Sequence, residues 1–396
     1  MLSTHHHTFN CRAQKVRWLP FLPGTSLGDG FSVVDKLLAT AGWSPTTEGP
    51  AVTIGCLRSA AKVHGSGYTM DTDADPSQHK DLLVPLGQYT PHSNVADMAS
   101  VPMYGHVLMV VGGEDGALGL VRVAMPAASG AREGDLQVEC VGEAVAPGAV
   151  LKPWTPPLHQ GAARACDVWA DTSHVASAGD DGRLVVLDAH QSDAPVLSEI
   201  CAPSQASLRA ARWTAAFSIA TAGTGCGVQL WDCRRPGREA LRMEWEAAPN
   251  HEAAAACHGV QCLDFCPSRP HICAAGSSNG SLTWWDMRLP EVPLHAAQTP
   301  KLAGLVSGST EINPVWEVRF ERAELSSNSK MVAKSGGLPL VLAGMENGCL
   351  SLMGADGSGI NLIQEYSAIN SFDLDASSGQ EIICCTENEG LLQLKR

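Results

Sequence analysis

The sequence is poor in charge, has no long apolar run and carries no polybasic cluster of the kind that addresses a membrane surface. Charged side chains are only 17% of its 396 residues. No apolar stretch reaches the roughly 18–20 residues of a membrane-spanning helix, which excludes an embedded helical protein. The opening residues, MLSTHHHTFNCRAQK, lack an apolar signal core. The 14 cysteines therefore read as reduced, small hydrophobes of cytosol or nucleus, not as a disulfide framework. Basic residues number 27 against 41 acidic ones, a net charge of −14, so a phosphate-backbone partner is disfavoured. Without a polybasic cluster there is no address for an anionic membrane surface. Also missing are a P-loop and a G-x-S-x-G elbow, and Ser, His and Asp residues are plentiful but show no arrangement, so a hydrolase is not indicated.

What is present is turn-forming punctuation. Hydrophobic residues make up 44% of the chain, and 39 glycines and 24 prolines interrupt it every few residues. That composition predicts many short strands joined by turns in one large all-β domain. The stretch 260–288, VQCLDFCPSRPHICAAGSSNGSLTWWDMR, shows the unit most plainly. A first apolar run over 260–265 ends at Pro267-Ser268-Arg269-Pro270. A second run over 271–276 leads into Ser278-Asn279-Gly280, whose Asn and Gly tolerate the positive φ of a tight turn. A third run over 281–286 ends in Trp285-Asp286. Strand, turn, strand, Asn-Gly turn, strand and Trp-Asp is the pattern of a WD-repeat propeller blade.

The unit recurs seven times, with hairpins at 36–57, 106–123, 174–188, 218–232, 271–286, 339–353 and 381–394. Trp43 and Glu389, at equivalent turns, lie 346 residues apart over six intervals, or about 58 per blade, above the usual roughly 40–45. The excess falls in loops near 66–80, 125–157, 246–257, 297–312 and 321–337. These spacings predict a single domain over 1–396, an all-β seven-bladed WD40 β-propeller. Its blades are expected at about 14–62, 82–124, 137–190, 195–235, 239–289, 292–355 and 360–396. The last unit has only three strands where a blade needs four. The fourth is expected from residues 5–12, closing the ring by pairing the two ends of the chain and leaving no open sheet edge.

Several blocks resemble a known family. They are Gln14 to Gly24 (QKVRWLPFLPG), the 260–288 block, Val315 to Phe320 (VWEVRF), and the terminal INSFDLD…CCTENEGLLQLKR. In the same order and over nearly the whole chain, they are similar to the forty-three-kilodalton WD-repeat nucleoporins. Blade three and the loop 321–337 carry no quotable resemblance. The resemblance implies a non-enzymatic scaffold subunit of the Y-shaped outer-ring complex of the nuclear pore. Such a subunit docks on a helical-solenoid neighbour of the short arm and supports nucleocytoplasmic transport of protein and mRNA. It implies residence at the nuclear envelope, a monomeric propeller within a large hetero-complex, no cofactor, and no direct contact with nucleic acid or insertion in the membrane.

The residues themselves suggest few sites. Arg17, Asp167, Arg212, Asp264 and Arg319 lie on expected inner strands, where they would line the central channel or its rim and meet partners. Trp231-Asp232-Cys233-Arg234 and Trp285-Asp286-Met287-Arg288 resemble the endings with which propeller receptors dock on cullin-type ubiquitin ligases. On that alternative reading Arg234 and Arg288 reach a partner, whereas on the plain one each caps a loop or pairs with a nearby acid. Trp213, Trp231, Trp285 and Trp316 are expected between blades as core. His5-His6-His7 lacks further ligands at metal spacing and reads as a terminus or edge strand. Cys257, His258, Cys262 and Cys266 mimic a zinc set, but Cys262 sits among apolar strand neighbours and reads as core. Asp180-Asp181-Gly182 and Glu114-Asp115-Gly116 lack the closing Glu of a calcium loop and read as hairpin turns. No metal site is expected.

Overall fold

A computed structural model describes residues 3–8, 12–20, 36–44, 47–58, 82–103, 106–124, 137–144, 157–190, 196–201, 206–243, 259–299, 313–322, 329–375, 379–387 and 390–395. Among these residues twenty-eight strands form seven four-stranded antiparallel sheets arranged as a seven-bladed β-propeller. The ring closes as expected. Ser3–Thr8 pairs in register with Gly390–Lys395 and becomes the outer strand of the last blade. The closing segment is thus 3–8 and not 5–12, because Arg12–Trp18 is already the inner strand of blade one.

The pairings correct the expected blade limits in one consistent way. Leu82–Tyr89 pairs with Gly49–Arg58 and completes blade one. Gln137–Ala144 completes blade two, Val196–Cys201 blade three, and Glu239–Met243 blade four. His295–Gln298 and Gly359–Gln364 complete blades five and six. The expected limits place each of these outer strands in the following blade. The cause is burial. Middle strands such as Ile272–Ser277 and Ser281–Asp286 are packed by blades on both faces and are buried at every position. They read as continuous apolar runs. Outer strands such as Glu239–Met243 face solvent, alternate, and resemble loop in sequence.

Core clusters lie between neighbouring blades, not within a blade. Trp284 and Trp285 show why, because consecutive strand residues point to opposite faces. Trp284 enters the cluster shared with blade six, and Trp285 the cluster shared with blade four. Both are fully buried. At about 25 cal/mol per Å² and roughly 150–250 Å² per aromatic, each contributes ~4–6 kcal/mol of transfer free energy to holding its junction. Trp213 and Trp231 are buried as expected, but Trp316 is exposed, its Nε1 donating to Glu346 on the turn of the same blade. It falls at a register shift between Val315 and Glu317, which turns its side chain out of the junction.

The insert near 321–337 is not loop throughout. Ser329–Lys334 is a short helix whose Met331 and Val332 pack against the cluster between blades six and seven. Arg269 of blade five donates to the Gly337 carbonyl at 3.0 Å. Loops expected near 66–80 and 246–257 lie outside the described residues, as do parts of the others, and so do Cys257 and His258. Cys262 and Cys266 are buried, and burial pushes the Cys262 thiol up to about 12. No group of three metal-ligating side chains occurs among the described residues. No helix among them is long and apolar enough to cross a membrane.

Candidate functional site

Registers between first and second strands place one residue of each blade at the same height on the channel wall. In blade order these are Arg17, Ala99, Asp167, Arg212, Asp264, Arg319 and Asp373. Cations and anions alternate around the ring. A seven-membered ring cannot alternate completely, and Ala99 is the neutral position that removes the clash. All five channel residues expected from the sequence are therefore brought together, and they line a cavity of about 850 Å³. Asp373 was missed. Its signal was the triplet that recurs on inner strands: Val16-Arg17-Trp18, Ala211-Arg212-Trp213, Leu263-Asp264-Phe265, Val318-Arg319-Phe320 and Phe372-Asp373-Leu374.

The anions of the ring are clips between blades. Asp167 Oδ2 accepts from the Trp213 backbone N–H at 2.8 Å, Asp264 Oδ2 from Phe320 at 2.8 Å, and Asp373 Oδ2 from Trp18 at 3.0 Å. Each carboxylate thus holds the residue following the equivalent cation of the next blade. A second tier two residues earlier repeats the device. Asp97 accepts from Cys166 at 3.1 Å, Glu317 from Phe372 at 3.1 Å, and Ser371 Oγ from Val16 at 3.4 Å. Burial pushes the Asp167 carboxyl up, opposed by the Arg212 charge and by the N–H bonds it accepts.

Arg17 joins both tiers and is buried. Its Nε donates to the Met98 carbonyl at 3.0 Å, and its Nη1 to Val16 at 2.8 Å and Ser371 Oγ at 2.9 Å. Its Nη2 pairs with Asp97 at 3.1 Å and Glu317 at 3.0 Å. One guanidinium thereby ties blades one, two, six and seven. Arg319 adds a 2.6 Å pair to Glu317. Burial raises the cost of a charge at Glu317, but Arg17 and Arg319 outweigh it and hold this carboxyl far below the ordinary range. Arg212 donates to the Ala211 carbonyl at 3.1 Å and has no carboxylate at ion-pair distance among the described residues. With three cations against three anions at ring height, the wall presents no net charge with which to concentrate an ion.

Blade three does contain the Ser–His–Asp arrangement that the sequence concealed. His159 Nδ1 lies 3.0 Å from Asp181 and Nε2 2.9 Å from Ser177 Oγ. His159 and Ser177 are fully buried, so no substrate reaches the hydroxyl. The three residues brace the blade instead. Burial pushes the Asp181 carboxyl up, but bonds from His159, Gln160 N–H and Arg183 N–H hold it below its usual value. The His159 N–H donates to Gly116 of blade two at 3.1 Å, at a turn whose φ of 84° suits glycine. Replacing His159 with Ala orphans Asp181 and Ser177 and opens a cavity. Denaturant unfolding is expected to show a loss of roughly 2–4 kcal/mol.

The two Trp-Asp-x-Arg endings share one geometry. Asp232 accepts from Arg234 N, Nε and Nη2 at 3.0, 2.9 and 2.8 Å. Asp286 accepts from the same atoms of Arg288 at 3.0, 2.9 and 2.6 Å. These bonds hold both carboxyls down at about 2. Each Arg thus caps the end of its own strand, as the plain reading expects, while its outer Nη1 stays clear of that bond. Arg234 also lies over the Phe217 ring at 5.2 Å.

No family model matches the chain. The Arabidopsis thaliana nuclear pore complex protein NUP43 is 29% identical over 245 residues, covering 60% of this chain and 63% of its own length. Nucleoporin Nup43 of Homo sapiens is 24% identical over 156 residues, covering 39% of this chain and 35% of its own length. Its Mus musculus counterpart is 24% identical over 153 residues, covering 38% and 34%. The chain thus resembles these nucleoporins, and the match spans less than two thirds of the length of each.

Proposed function

We propose that this chain is a non-enzymatic structural subunit of the nuclear pore complex, resident at the nuclear envelope. The observation that carries the reading is similarity to three Nup43 nucleoporins on a closed seven-bladed ring. A disc whose blades are clipped by buried carboxylates and stitched by inter-blade tryptophans is a rigid spacer, suited to presenting surface and not to moving a substrate. The Ser177–His159–Asp181 set is sealed, and the channel carboxylates Asp167, Asp264 and Asp373 are spent on neighbouring blades. In this role the disc docks on a helical-solenoid subunit of the outer ring, in the Y-shaped complex, and contributes to transport of protein and mRNA by holding that scaffold together.

The test is to tag the chain at its natural locus, image it, and identify by mass spectrometry what stays bound at moderate salt. Nuclear-rim fluorescence with recovery of solenoid and propeller nucleoporins is the expected result. Diffuse fluorescence with none of them recovered overturns the reading. Recovery of a cullin and its propeller adaptor would replace it with a ligase receptor working through Arg234 and Arg288.

A further inference from the structure

On the face where first strands turn into second and third into fourth, blades three to five expose large apolar side chains. Leu197 is 47% exposed, Phe217 51%, Leu289 65% and Val292 50%. Blades three and four are joined on this face, and Met287, two residues before Leu289, packs into the cluster between blades four and five. Gly237 of blade four donates to the Ile200 carbonyl on the outer strand that carries Leu197, at 2.7 Å. Cys233 donates to the Phe217 carbonyl at 2.9 Å, and Leu289 to the Asp286 carbonyl at 2.8 Å. On the same face the helix Ser329–Lys334 packs against the cluster between blades six and seven, and Arg269 of blade five reaches the Gly337 carbonyl beyond it.

Charge marks the blade-four part of this sector, whereas the blade-five part carries Glu291 between Leu289 and Val292. The loop 232–238 holds Arg234, Arg235 and Arg238 against Asp232, three minus one or +2, on a chain of −14. Arg235 and Arg238 have no ion pair among the described residues, and the Arg234 guanidinium is fixed by Asp232 and Phe217. A pre-oriented Arg beside exposed aromatic and aliphatic groups is the composition of an interface anchor. Two exposed aromatics of the opposite face differ, since Trp316 is bound to Glu346 and Tyr366 follows Glu365; Trp43, 46% exposed on that face, pairs in register with Arg12.

We infer that this rim of blades three to five is the docking surface for an acidic, amphipathic segment of a neighbouring scaffold subunit. Its apolar side chains would cover Phe217, Leu289 and Val292 while its carboxylates meet Arg234, Arg235 and Arg238. The inference rests on the nuclear-pore reading and names the surface that reading requires.

The test compares tagged full-length chain with two rim variants, Phe217→Ala/Leu289→Ala and Arg234→Glu/Arg235→Glu, and with Trp43→Ala/Tyr366→Ala on the opposite face. Thermal melts first establish that all are folded. Both rim variants are expected to recover at least roughly tenfold less nucleoporin from native extract, with the charge variant most affected at low salt. The opposite-face variant should match the parent. Undiminished recovery by both rim variants overturns the docking surface alone, as does loss confined to the opposite-face variant. Failure of the parent itself to recover nucleoporins overturns the nuclear-pore reading and the inference with it.

Discussion

Arg17→Ala is expected to lower the unfolding free energy at neutral pH by about 3–5 kcal/mol, the range for removing one partner of a buried ion cluster. Most of that loss comes from what the substitution leaves behind. Asp97 and Glu317 stay buried, and Ser371 and the Met98 carbonyl lose a donor. An Arg17→Lys variant keeps the charge but cannot reach five acceptors with one ammonium, so it should fall between parent and Ala. Equilibrium denaturation checks both. A loss below ~1 kcal/mol for the Ala variant would mean the cluster reorganises around Arg319 and that Arg17 is not the tie between its blades.

The pH dependence of this penalty is a second, independent reading of the same cluster. Glu317 is held far below its ordinary value, so the folded protein keeps this group charged where the unfolded chain protonates it. Its contribution is therefore complete above the unfolded value of about 4.3 and declines as pH falls below that. One such group adds a slope of ~1.4 kcal/mol per pH unit across that acidic window. Glu317→Gln should remove this part of the slope. In Arg17→Ala the carboxyl loses its main cation, so the gap to the parent should be widest near pH 7 and narrow towards pH 3.

Legibility of the fold follows how strands are packed. Second and third strands are buried on both faces, so their apolar runs and Asn-Gly or Asp-Gly turns stand out, and the seven hairpins emerge from the sequence. Outer strands such as Val196–Cys201 alternate between exposed and covered and carry no such run. The site divides similarly. Arg17, Asp167, Arg212, Asp264 and Arg319 could be found because each is a charge inside an apolar inner strand. That they form an alternating ring depends on register between distant blades, such as Asp373 against Trp18, 355 residues apart. His159 was out of reach for the same reason, since its partners lie on a strand and a turn 18 and 22 residues away. The exposed rim at Phe217 and Leu289 left no periodic signal because turns have none.

Deleting residues 1–8 is expected to cost as much as losing Arg17, by a different route. Ser3–Thr8 forms six register pairs with Gly390–Lys395. At about 0.5–1 kcal/mol net for each, their loss amounts to ~3–6 kcal/mol. The truncated protein would also present Gly390–Lys395 as a bare edge flanked by Leu391, Leu392 and Leu394, a template for pairing with another copy. It should melt earlier and aggregate on heating, as followed by circular dichroism and light scattering. A circular permutant separates the pairing of the segment from its covalent link to blade one. Ser3 lies opposite Lys395, so a short turn of about 2–5 residues could join residue 396 to residue 1 as a hairpin, with new ends opened between 8 and 12. That permutant keeps every strand pair and should hold within about 1 kcal/mol of the parent. Harmless truncation would mean that this strand does not stabilise the seventh blade, and a permutant that failed as badly as the truncation would mean that its covalent link to blade one, not its pairing, holds the seventh blade to the first. If the permutant holds, the channel clips from Asp373 to Trp18 and from Ser371 to Val16, with the apolar cluster of Val16, Trp18, Ile383 and Leu391, carry that junction without the link.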